Sequence, residues 1–484
     1  MFDAESLYSL GLPRIKAAIG PAKKAANAAL QLGASENIVA DIIRTITLNP
    51  ETAEIPDAWR SAFEPFVEKL KAIRQGRTFF ADGLTAATWK NWADESVEAG
   101  AIEQMKNACQ LPVSAGGALM PDAHTGYGLP IGGVLAVRNA VIPYAVGVDI
   151  ACRMRLTVLK DSPSLLDTDS DRLAKGLESE TRFGIGASFS RDERRDHPVI
   201  HEDWSITPPT KAIFGKAMAQ LGTSGCGNHF IEFGTLTVTE SLDEPELKLP
   251  PGVYLALLSH SGSRGSGETV ASYYSTLAQS LHPELPKELR HLAWLDLGTP
   301  EGDGYWKAME LMGRYAAANH ELIHKAVIKH LGLSPVVHVE NHHNFAWKER
   351  YGGEELIVHR KGATPAGDGV LGVVPGSMGA PGFIVRGKGN PASFASCSHG
   401  AGRRISRRQA YQTLSKENMM EILRKRRVRL LSGPLDESPE VYKDIEAVIE
   451  RQSDLIDVLA RFDPRLVKMA PEEGSAPAWR RKKK

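Results

Sequence analysis

Residues 134–152 have the sequence VLAVRNAVIPYAVGVDIAC and carry the pattern that decides the fold. Two apolar runs are separated by an Arg-Asn pair, and the second passes through a proline to a polar ending with Asp149 and Cys152 three positions apart. Short apolar runs bounded by turn-forming residues are typical of buried β-strands. The stretch therefore predicts a strand-rich core with reactive side chains at a strand end.

The same texture extends outward from about Leu111. Further short apolar runs are YLALLSH at 254–260, EELIVHR at 354–360 and GFIVRG at 382–387, with Gly, Pro, Ser and Asn clusters between them. A charged region from Lys160 to about Thr210 and a long helical pattern from Tyr305 to about Leu331 interrupt the series. This order predicts an α+β fold, a mixed sheet body with peripheral helices, rather than regular βα alternation.

The two ends of the chain differ from this body. Residues 1 to about 100 are polar with apolar residues such as Trp59, Phe63 and Phe66 at helical spacing. Beyond Ser406 the sequence is basic and helical, a helix is predicted from Tyr442 to Leu459, and the chain ends in GSAPAWRRKKK. We expect a helical N-terminal extension over 1–100, a catalytic domain over 101–470 and a flexible basic tail over 471–484.

Composition excludes several classes of protein. Lys and Arg number 58 against 58 Asp and Glu, so the chain lacks the net positive charge of a protein that wraps nucleic acid. Hydrophobic residues are 42% of the 484, which is typical of a globular protein. No stretch approaches the roughly 18 consecutive apolar residues of a membrane span, and the N-terminus lacks a signal-peptide pattern. We therefore expect a soluble, cytoplasmic protein. The four cysteines form no CxxC pair, so a disulfide framework is not predicted.

Histidines mark most of the loops between the strand-like runs. They occur beside small residues in PDAHTGYG (His124), SGCGNHFIE (His229), SHSGSRG (His260), ENHHNF (His342 and His343) and CSHGAGR (His399). A single histidine in such a loop is more often a structural hydrogen-bonding residue than a ligand. The recurrence of the pattern favours a shared site.

Asp149 and Cys152 offer a carboxylate and a thiolate that imidazoles could complete as metal ligands. On these two residues alone, the favoured interpretation is a turn-capping aspartate and a buried cysteine without a metal. The Gly-rich loops PGSMGA (375–380) and HGAGR (399–403) let backbone amides approach an anion closely. Together these features predict metal ions that hold a phosphorylated ligand.

A competing motif lies in the long helical pattern. His320, Glu321 and His324 match HExxH, the zinc-peptidase arrangement. No second metal-ligand signature with peptidase spacing follows it. The sequence contains no GxxxxGK[ST], no GxSxG and no Rossmann fingerprint, so the usual phosphate-binding and serine-hydrolase designs are excluded.

The motifs taken together resemble one family. MPDAHTGYGLPIGG, GVDIAC, GTSGCGNHFIE, HSGSRG, HHN, HRKGA, PGSMGA and CSHGAGRRISR occur in the order in which the RtcB family of RNA ligases carries them. The resemblance runs from about Gln104 to Lys468. It implies an RtcB-like α+β fold and a GTP- and Mn²⁺-dependent ligase of RNA splicing or repair, which joins 2′,3′-cyclic phosphate or 3′-phosphate RNA ends to 5′-hydroxyl ends.

The resemblance also implies roles for individual residues. His399 would be the nucleophile that accepts GMP. Two Mn²⁺ ions would be held by Asp149, Cys152, His229, His260 and His343. GTP would contact Asn228, His229, Phe230, Ile231, Glu232, His343, Asn344, Pro375, Gly376, Ser377, Met378, Gly400, Ala401, Gly402 and Lys468.

Expected partners are the RNA ends and an activator of the archease type. The basic residues after the nucleophile are candidates for the RNA-binding surface: Arg403, Arg404, Arg407 and Arg408. The sequence departs from the family at Arg153, where a glycine is usual, at Lys468, which Met469 rather than glycine follows, and in the N-terminal extension.

Three other functions stay open at this point. The same ligands with water as the nucleophile would make a metal-dependent RNA end-processing phosphoesterase. HExxH would make a zinc peptidase. A non-enzymatic RNA-binding module would need basic and aromatic platforms, whereas aromatic residues are 7% of the chain and show no clustered repeat.

Overall fold

The computed structural model describes residues 2–12, 16–81, 86–95 and 97–472. The chain divides into two compact units. The N-terminal unit comprises residues 1–85 with 279–293, and the main unit comprises 86–278 with 294–484. The predicted boundaries near residues 100 and 470 stay predictions, and residues 473–484 of the predicted basic tail lie outside the described residues.

The N-terminal unit is built from helices. They are α1 Ala4–Ser9, α2 Lys16–Gln31, α3 Glu36–Leu48 and α4 Asp57–Ala81. Asp3 and Ser35 begin α1 and α3 by accepting hydrogen bonds from backbone amides of the first turn, which satisfies otherwise unpaired donors. Ile43, Phe63 and Phe66 are fully buried in the core of this unit. The apolar residues at helical spacing in this unit therefore pack its helices against one another.

The main unit contains ten further α-helices in the described part of the chain. They are α5 Ala99–Cys109, α6 Pro143–Val146, α7 Leu165–Thr168, α8 Ser170–Glu180, α9 Pro208–Gln220, α10 Arg264–Leu281, α11 Pro300–Leu331, α12 Arg407–Thr413, α13 Lys416–Lys425 and α14 Ile445–Glu450. The last turn of α10 belongs to the N-terminal unit. Among the described residues, no helix combines the length and apolar content that crossing a membrane requires.

The strands form two principal sheets. In chain order they are β1 Trp89–Asn91, β2 Ser114–His124, β3 Ile131–Val137, β4 Ala140–Val141, β5 Arg153–Leu159, β6 Phe230–Val238, β7 Leu242–Glu244, β8 Leu247–Leu249, β9 Gly252–Ser261, β10 Leu295–Asp296, β11 Pro335–His342, β12 Asn344–Tyr351, β13 Glu354–Lys361, β14 Ala363–Pro365, β15 Leu371–Val374, β16 Gly382–Gly387, β17 Ser396–Ser398, β18 Arg429–Ser432 and β19 Ile456–Met469. The smaller sheet has the order β1-β2-β3-β13-β12. The larger has the order β11-β5-β9-β6-β19-β16-β15, with β18 beside β19.

The larger sheet is covered on one face by α8 and α11. Leu177 of α8 and Val327 of α11 pack with Leu257 of β9 in one apolar cluster. A second cluster, with Leu156 and Leu258, lies on the other face. Mixed sheets with helices on their periphery confirm the α+β prediction.

One predicted helix is wrong. The segment from Tyr442 to Leu459 contains only the short helix α14, and β19 begins at Ile456. Along β19 buried and less buried residues alternate, as in Ala460, Arg461, Phe462 and Asp463. The strand β19 lies between β6 and β16, and its period of two places Ala460 and Phe462 on one face of the sheet, in an apolar cluster.

Candidate active site

Three adjacent strands of the larger sheet end at one place. Arg153 on β5 lies opposite Ser261 on β9 and His342 on β11. The residues adjacent to these three in sequence are Cys152, His260 and His343. Strand register therefore brings together side chains that are almost two hundred positions apart in the chain.

We call Asp149, Cys152, His229, His260 and His343 the site cluster. The Cys152 Sγ atom lies 3.3 Å from His229 Nε2 and 3.1 Å from His260 Nε2. His229 Nε2 is 2.9 Å from Asp149 Oδ2, and His260 Nε2 is 3.3 Å from His343 Nε2. Each of the five predicted metal ligands is thus within contact of another, and Cys152, His229 and His260 form a group able to hold a metal ion.

Neighbouring groups orient the imidazoles. His260 Nδ1 lies 3.1 Å from the carbonyl oxygen of Asn228. Because a carbonyl only accepts, Nδ1 carries the proton and Nε2 presents its lone pair to Cys152 and His343, as in many metal-ligating histidines. This tautomer and the mixed thiol, imidazole and carboxylate donors fit a transition metal.

Burial controls the protonation of the site cluster. It raises the pKa of the Cys152 thiol well above the usual range, and the Asp149 carboxylate adds to this. Burial also lowers the pKa of His260 to about 3. Burial is the largest single influence on Asp149 and opposes its charge, but the hydrogen bond from His229, the nearby charge of Arg264 and the contact with Cys152 together outweigh it and lower the pKa of Asp149. A neutral thiol beside neutral imidazoles would become a thiolate only with a bound cation.

His399 adjoins the site cluster. Its ring centroid lies 4.9 Å from that of His343. Its Nδ1 is 2.7 Å from Asp122 Oδ2, and the same carboxylate oxygen accepts from the backbone amides of His399 and Gly400 at 3.1 and 3.3 Å. The Asp122 side chain is fully buried, and the His399 contact helps to lower its pKa although burial acts in the opposite direction. The carboxylate accepts from Nδ1–H, which leaves Nε2 as the imidazole atom with a lone pair.

Two glycines permit this close packing. A Cβ at Gly262 would lie 2.3 Å from Asp149 Oδ1. A Cβ at Gly402 would lie 2.0 Å from the Asp122 carbonyl oxygen, and Gly402 also has a positive φ of 72°. Neither position can hold a larger residue without moving a carboxylate-bearing segment.

A cavity of about 490 Å³ opens beside His399. The predicted GTP-contacting residues that line it are Asn228, Phe230, Pro375, Gly376, Ser377, Met378, Gly400, Ala401 and Gly402. His260 of the site cluster also lines it. A cavity of this size, with backbone amides and apolar side chains beside a held histidine, is large enough for a nucleotide.

Six predicted GTP contacts do not line this cavity. His229 and His343 belong to the site cluster, and the other four lie elsewhere. Ile231 and Glu232 are buried on β6, and burial raises the pKa of Glu232 well above its usual range. Asn344 donates to the Asp149 carbonyl and accepts from Gly362. Lys468 Nζ donates to the carbonyl oxygens of Leu177 and Glu178 on α8. None of these four predicted contacts is among the described residues that line the cavity.

Arg153, which the sequence analysis contrasts with the glycine expected from the resemblance, is buried. Its Nη1 lies 2.6 Å from Glu340 Oε1, and its Nη2 lies 3.3 Å from His342 Nδ1. Arg155 bonds the other oxygen of Glu340 at 2.8 Å. The cation therefore joins β5 to β11 next to the strand ends that carry the site cluster.

The basic residues after His399 serve mainly as internal partners. Arg403 and Arg407 form ion pairs with the buried Glu437, and Arg407 also pairs with Asp436. Arg404 donates to a backbone carbonyl. Arg403 and Arg407, two of the four arginines predicted to bind RNA, line the same cavity as His399.

The HExxH histidines share a hydrogen-bonded group with Ser259 and Thr157. Ser259 Oγ lies 2.8 Å from both His320 Nδ1 and His324 Nε2, and Thr157 Oγ1 lies 2.8 Å from His324 Nδ1. Glu321 lies 3.4 Å from His197 instead. Since both nitrogens of His324 are occupied by hydroxyl groups, the peptidase arrangement is absent from these residues.

Asp122 is the functional candidate that sequence reasoning missed. It belongs to the PDAHTGYG stretch, in which the sequence pattern indicates His124 as the candidate residue. The local sequence around Asp122 does not predict its role, because its contact with His399 joins residues 277 positions apart.

A buried thiol-imidazole-carboxylate cluster next to a histidine held by a carboxylate is typical of metal-dependent group-transfer enzymes. The family model described as tRNA-splicing ligase RtcB matches residues 104–205 and 202–469. The chain belongs to the RtcB family. The RNA-splicing ligase RtcB of Escherichia coli K12 is 34% identical over 390 residues, which cover 75% of this chain and 92% of that protein.

Two further relatives come from distant organisms. The tRNA-splicing ligase RtcB of Nanoarchaeum equitans is 32% identical, with 75% of this chain and 90% of that protein covered. The RNA-splicing ligase RtcB of Mycobacterium tuberculosis is 29% identical, with 75% and 98% covered. The first hundred residues lie outside the family match.

Proposed function

We propose that this chain is an RNA ligase of splicing or repair. It joins RNA ends bearing a 3′-phosphate or 2′,3′-cyclic phosphate to 5′-hydroxyl ends, with GTP and Mn²⁺. The observation that carries the proposal is the 4.9 Å approach of the His399 ring to His343, beside a nucleotide-sized cavity. The proposed nucleophile, the proposed metal ligands and the Gly-rich loops thus lie close together, which supports the proposal.

His399 is the proposed acceptor of the guanylyl group. An imidazole attacks phosphorus only as the neutral base. Asp122 fixes Nδ1 as the protonated nitrogen and leaves Nε2 for attack. In this arrangement the carboxylate also stabilises the positive charge that the ring acquires when Nε2 forms a bond.

The site cluster is the proposed holder of two Mn²⁺ ions. When bound, Mn²⁺ would supply positive charge that offsets the repulsion between phosphate oxygens and an incoming nucleophile. The donors are the thiol of Cys152, the carboxylate of Asp149 and the imidazoles of His229, His260 and His343. The choice of manganese rests on the family, because this mixed donor set also suits other transition metals.

The cavity beside His399 is the proposed guanylate pocket. Phe230, Met378 and Met469 give it apolar walls, and the Pro375–Met378 and Gly400–Gly402 segments bring backbone groups close. Apolar walls with a few placed polar groups are the usual form of a nucleotide pocket. Lys468 has no proposed contact here, since it bonds to α8.

The reaction is proposed to proceed by hydrolysis of a cyclic phosphate, where one is present, followed by three transfers. Water opens a cyclic phosphate to a 3′-phosphate, and His399 Nε2 displaces pyrophosphate from GTP and accepts the guanylyl group. A 3′-phosphate oxygen then bonds to the guanylyl phosphorus as the bond to Nε2 breaks. Finally the 5′-hydroxyl oxygen bonds to the RNA phosphorus, GMP leaves with the bonding electron pair, and the hydroxyl proton passes to water.

The test is covalent labelling. The protein incubated with [α-³²P]GTP and Mn²⁺ should become labelled, and His399→Ala should remain unlabelled and fail to join 3′-phosphate RNA to 5′-hydroxyl RNA. His201→Ala, which removes an exposed histidine paired with Asp196, is the matched control and should label normally. A wild-type protein that stays unlabelled contradicts the proposal.

The same variant separates the ligase from a phosphoesterase. A hydrolase would keep phosphate release after His399→Ala, because water would be its nucleophile. The cytoplasmic location and an archease-type activator remain part of the proposal, and labelling with and without added archease tests the latter.

A further inference from the structure

A second cavity, which we call the basic groove, adjoins the cavity beside His399. Its volume is about 670 Å³, and Ser377 and Tyr442 line both cavities. The basic residues that line the groove are Arg404, Arg426, Lys443, Arg461 and Arg465. The acidic residues that line it are Asp444, Glu446 and Asp463. Basic side chains therefore outnumber carboxylates in a groove next to the proposed nucleophile.

Two of the groove's cations are paired with carboxylates. Arg461 Nη1 donates to Glu446 Oε1 at 2.7 Å, and its Nε donates to Asp463 Oδ1 at 3.1 Å. The guanidinium group of Arg465 forms an ion pair with Asp167. The charges of these two arginines are therefore balanced within the protein.

Arg404 and Arg426 are held in a different way. Arg404 Nε donates to the carbonyl oxygen of Glu440 at 2.7 Å, and Arg426 Nη1 donates to that of Gly379 at 2.7 Å. A carbonyl oxygen is neutral, so these bonds hold the guanidinium groups without cancelling their charge. The third carboxylate of the groove, Asp444, accepts a hydrogen bond from the first turn of α14. Two arginines held in this way suit phosphate groups, which arginine binds through its planar set of N–H donors.

Lys443 connects the basic groove to the segment that orients the nucleophile. Its Nζ donates to the carbonyl oxygens of Pro121 and Ala123 at 3.0 and 2.9 Å. These two residues flank Asp122, whose carboxylate contacts His399. Because the groove also shares two lining residues with the cavity beside His399, a chain molecule in the groove can continue into that cavity.

We propose that the basic groove binds the phosphate backbone of an RNA strand whose reacting end lies in the cavity beside His399. This inference rests on the proposed function and names the surface that holds the substrate away from the reacting end. Phosphate contacts carry no sequence information, so the groove accepts broken RNA of any sequence. Since the chain has no net charge, such binding depends on a local basic surface.

The main experiment measures RNA binding as a function of salt. Fluorescence anisotropy, without GTP or Mn²⁺, gives the Kd of a single-stranded RNA of about 12 nucleotides, a length within the usual range of single-strand sites. For Arg404→Gln/Arg426→Gln we expect a Kd roughly 25-fold higher at about 0.1 M salt. The slope of log Kd against log salt should fall by about 1.4, since each phosphate contact of a single strand contributes about 0.7. Arg404→Lys/Arg426→Lys keeps both charges and should restore most of the affinity.

The matched control is Arg191→Gln/Arg424→Gln. It removes the same charge from two exposed arginines that are not among the described residues lining either cavity. This variant should bind RNA nearly as wild type does. An equal loss of affinity in the control would show that only total charge matters and would overturn the proposal.

Two RNA strands are compared, one with a 3′-phosphate end and one with a 5′-hydroxyl end. Weaker binding of one strand alone supports the proposal and identifies the strand that lies in the groove. Weaker binding of both strands supports it for both. An unchanged Kd and an unchanged salt slope for both strands would overturn it.

Two further measurements distinguish a binding role from a structural one. Arg404→Gln/Arg426→Gln should leave [α-³²P]GTP labelling of His399 unchanged, since neither arginine is among the described residues that line the cavity beside His399. Guanylyl transfer to a two-nucleotide 3′-phosphate RNA, too short to occupy both cavities, should also be unchanged. Slower labelling, or slower transfer to the short RNA, would show that the substitutions distort the site and would overturn the proposal.

Failure of the parent proposal has a different signature. A wild-type protein that never accepts label from GTP refutes the ligase function, whereas anisotropy without GTP still shows whether the groove binds RNA. Normal labelling together with unaffected RNA binding by Arg404→Gln/Arg426→Gln refutes the groove alone.

Discussion

Two groups of buried histidines lie on opposite sides of one strand. His260 of β9 belongs to the site cluster, whereas its neighbour Ser259 binds the HExxH pair His320 and His324. Successive residues of a strand point to opposite faces, so a shift of one position separates the two groups. Both groups have pKa values lowered by burial, so neither burial nor composition distinguishes them.

The difference lies in what the ring nitrogens meet. Both nitrogens of His324 are occupied by hydroxyl groups of Ser259 and Thr157. In the site cluster the Nε2 atom of His260 contacts both the Cys152 thiol and the Nε2 atom of His343. A histidine whose ring nitrogens both have hydrogen-bond partners needs no ligand. Nitrogen and sulfur atoms that converge beside a cavity can instead bind a metal ion.

The largest expected effect is at Asp122. Asp122→Asn keeps the size of the side chain but removes the carboxylate that fixes the His399 tautomer, and we expect guanylylation to slow roughly 10³- to 10⁴-fold, as for other carboxylates that orient a catalytic histidine. Single-turnover labelling with [α-³²P]GTP measures it. A wild-type labelling rate would show that the 2.7 Å contact has no catalytic role.

Cys152→Ser should weaken Mn²⁺ binding by more than roughly 100-fold. Substitution of a residue that only hydrogen-bonds to a metal ligand typically costs up to that amount, and Cys152 is itself a proposed ligand. Calorimetric titration of the metal measures it. Cys109→Ser is the control, since that buried thiol, whose pKa burial raises to about 12, lies outside the site cluster. Equal affinity in the two variants would place the metal elsewhere.

Much of this contrast was predictable from sequence. Asp149 and Cys152 follow an apolar run, and the histidine-bearing loops occur where the strand pattern breaks, so strand ends with ligand-type side chains could be expected. Local pattern does not reveal pairing across the chain. The register of β5 with β9 and β11, and hence the contact of His260 with His343, depends on tertiary structure.

The wrong helix prediction has the same cause. Residues 456–459 continue an apolar pattern that suits a helix as well as a strand, and only their place between β6 and β16 selects the strand. The contact of Lys468 with the guanylate stays a prediction from the resemblance, and in the structure its side chain donates to a carbonyl oxygen of α8. Asp122 gave no local signal because its partner is 277 positions away.

His324→Phe should separate stability from metal binding. The substitution leaves Thr157 without its partner in a buried position, and we expect the free energy of unfolding to fall by about 1–3 kcal/mol. Urea unfolding measures the change, and the affinity for Mn²⁺ should stay the same. A parallel loss of metal affinity would mean that the two histidine groups act as one.

The pH dependence of the free energy of unfolding should contain a contribution from His324. In the folded chain the pKa of His324 lies well below 6.5 because of burial, whereas the unfolded chain binds the proton near 6.5. Unfolding therefore takes up a proton below pH 6.5, and stability falls by about 1.4 kcal/mol per pH unit for this group as the pH decreases. The slope between pH 6 and 5 should be smaller by that amount in His324→Phe, and an identical slope would contradict the assignment.

The smallest effect is expected at Glu321, the would-be base of the HExxH motif. Its side chain is 51% exposed and contacts only His197 at 3.4 Å among the partners described for it. An exposed pair of this kind contributes about 0–1 kcal/mol, so Glu321→Gln should change neither unfolding beyond that range nor any Mn²⁺-dependent activity. Loss of a metal-dependent activity in this variant would make the HExxH helix a second site, and the distinction drawn between the two faces of β9 would fail.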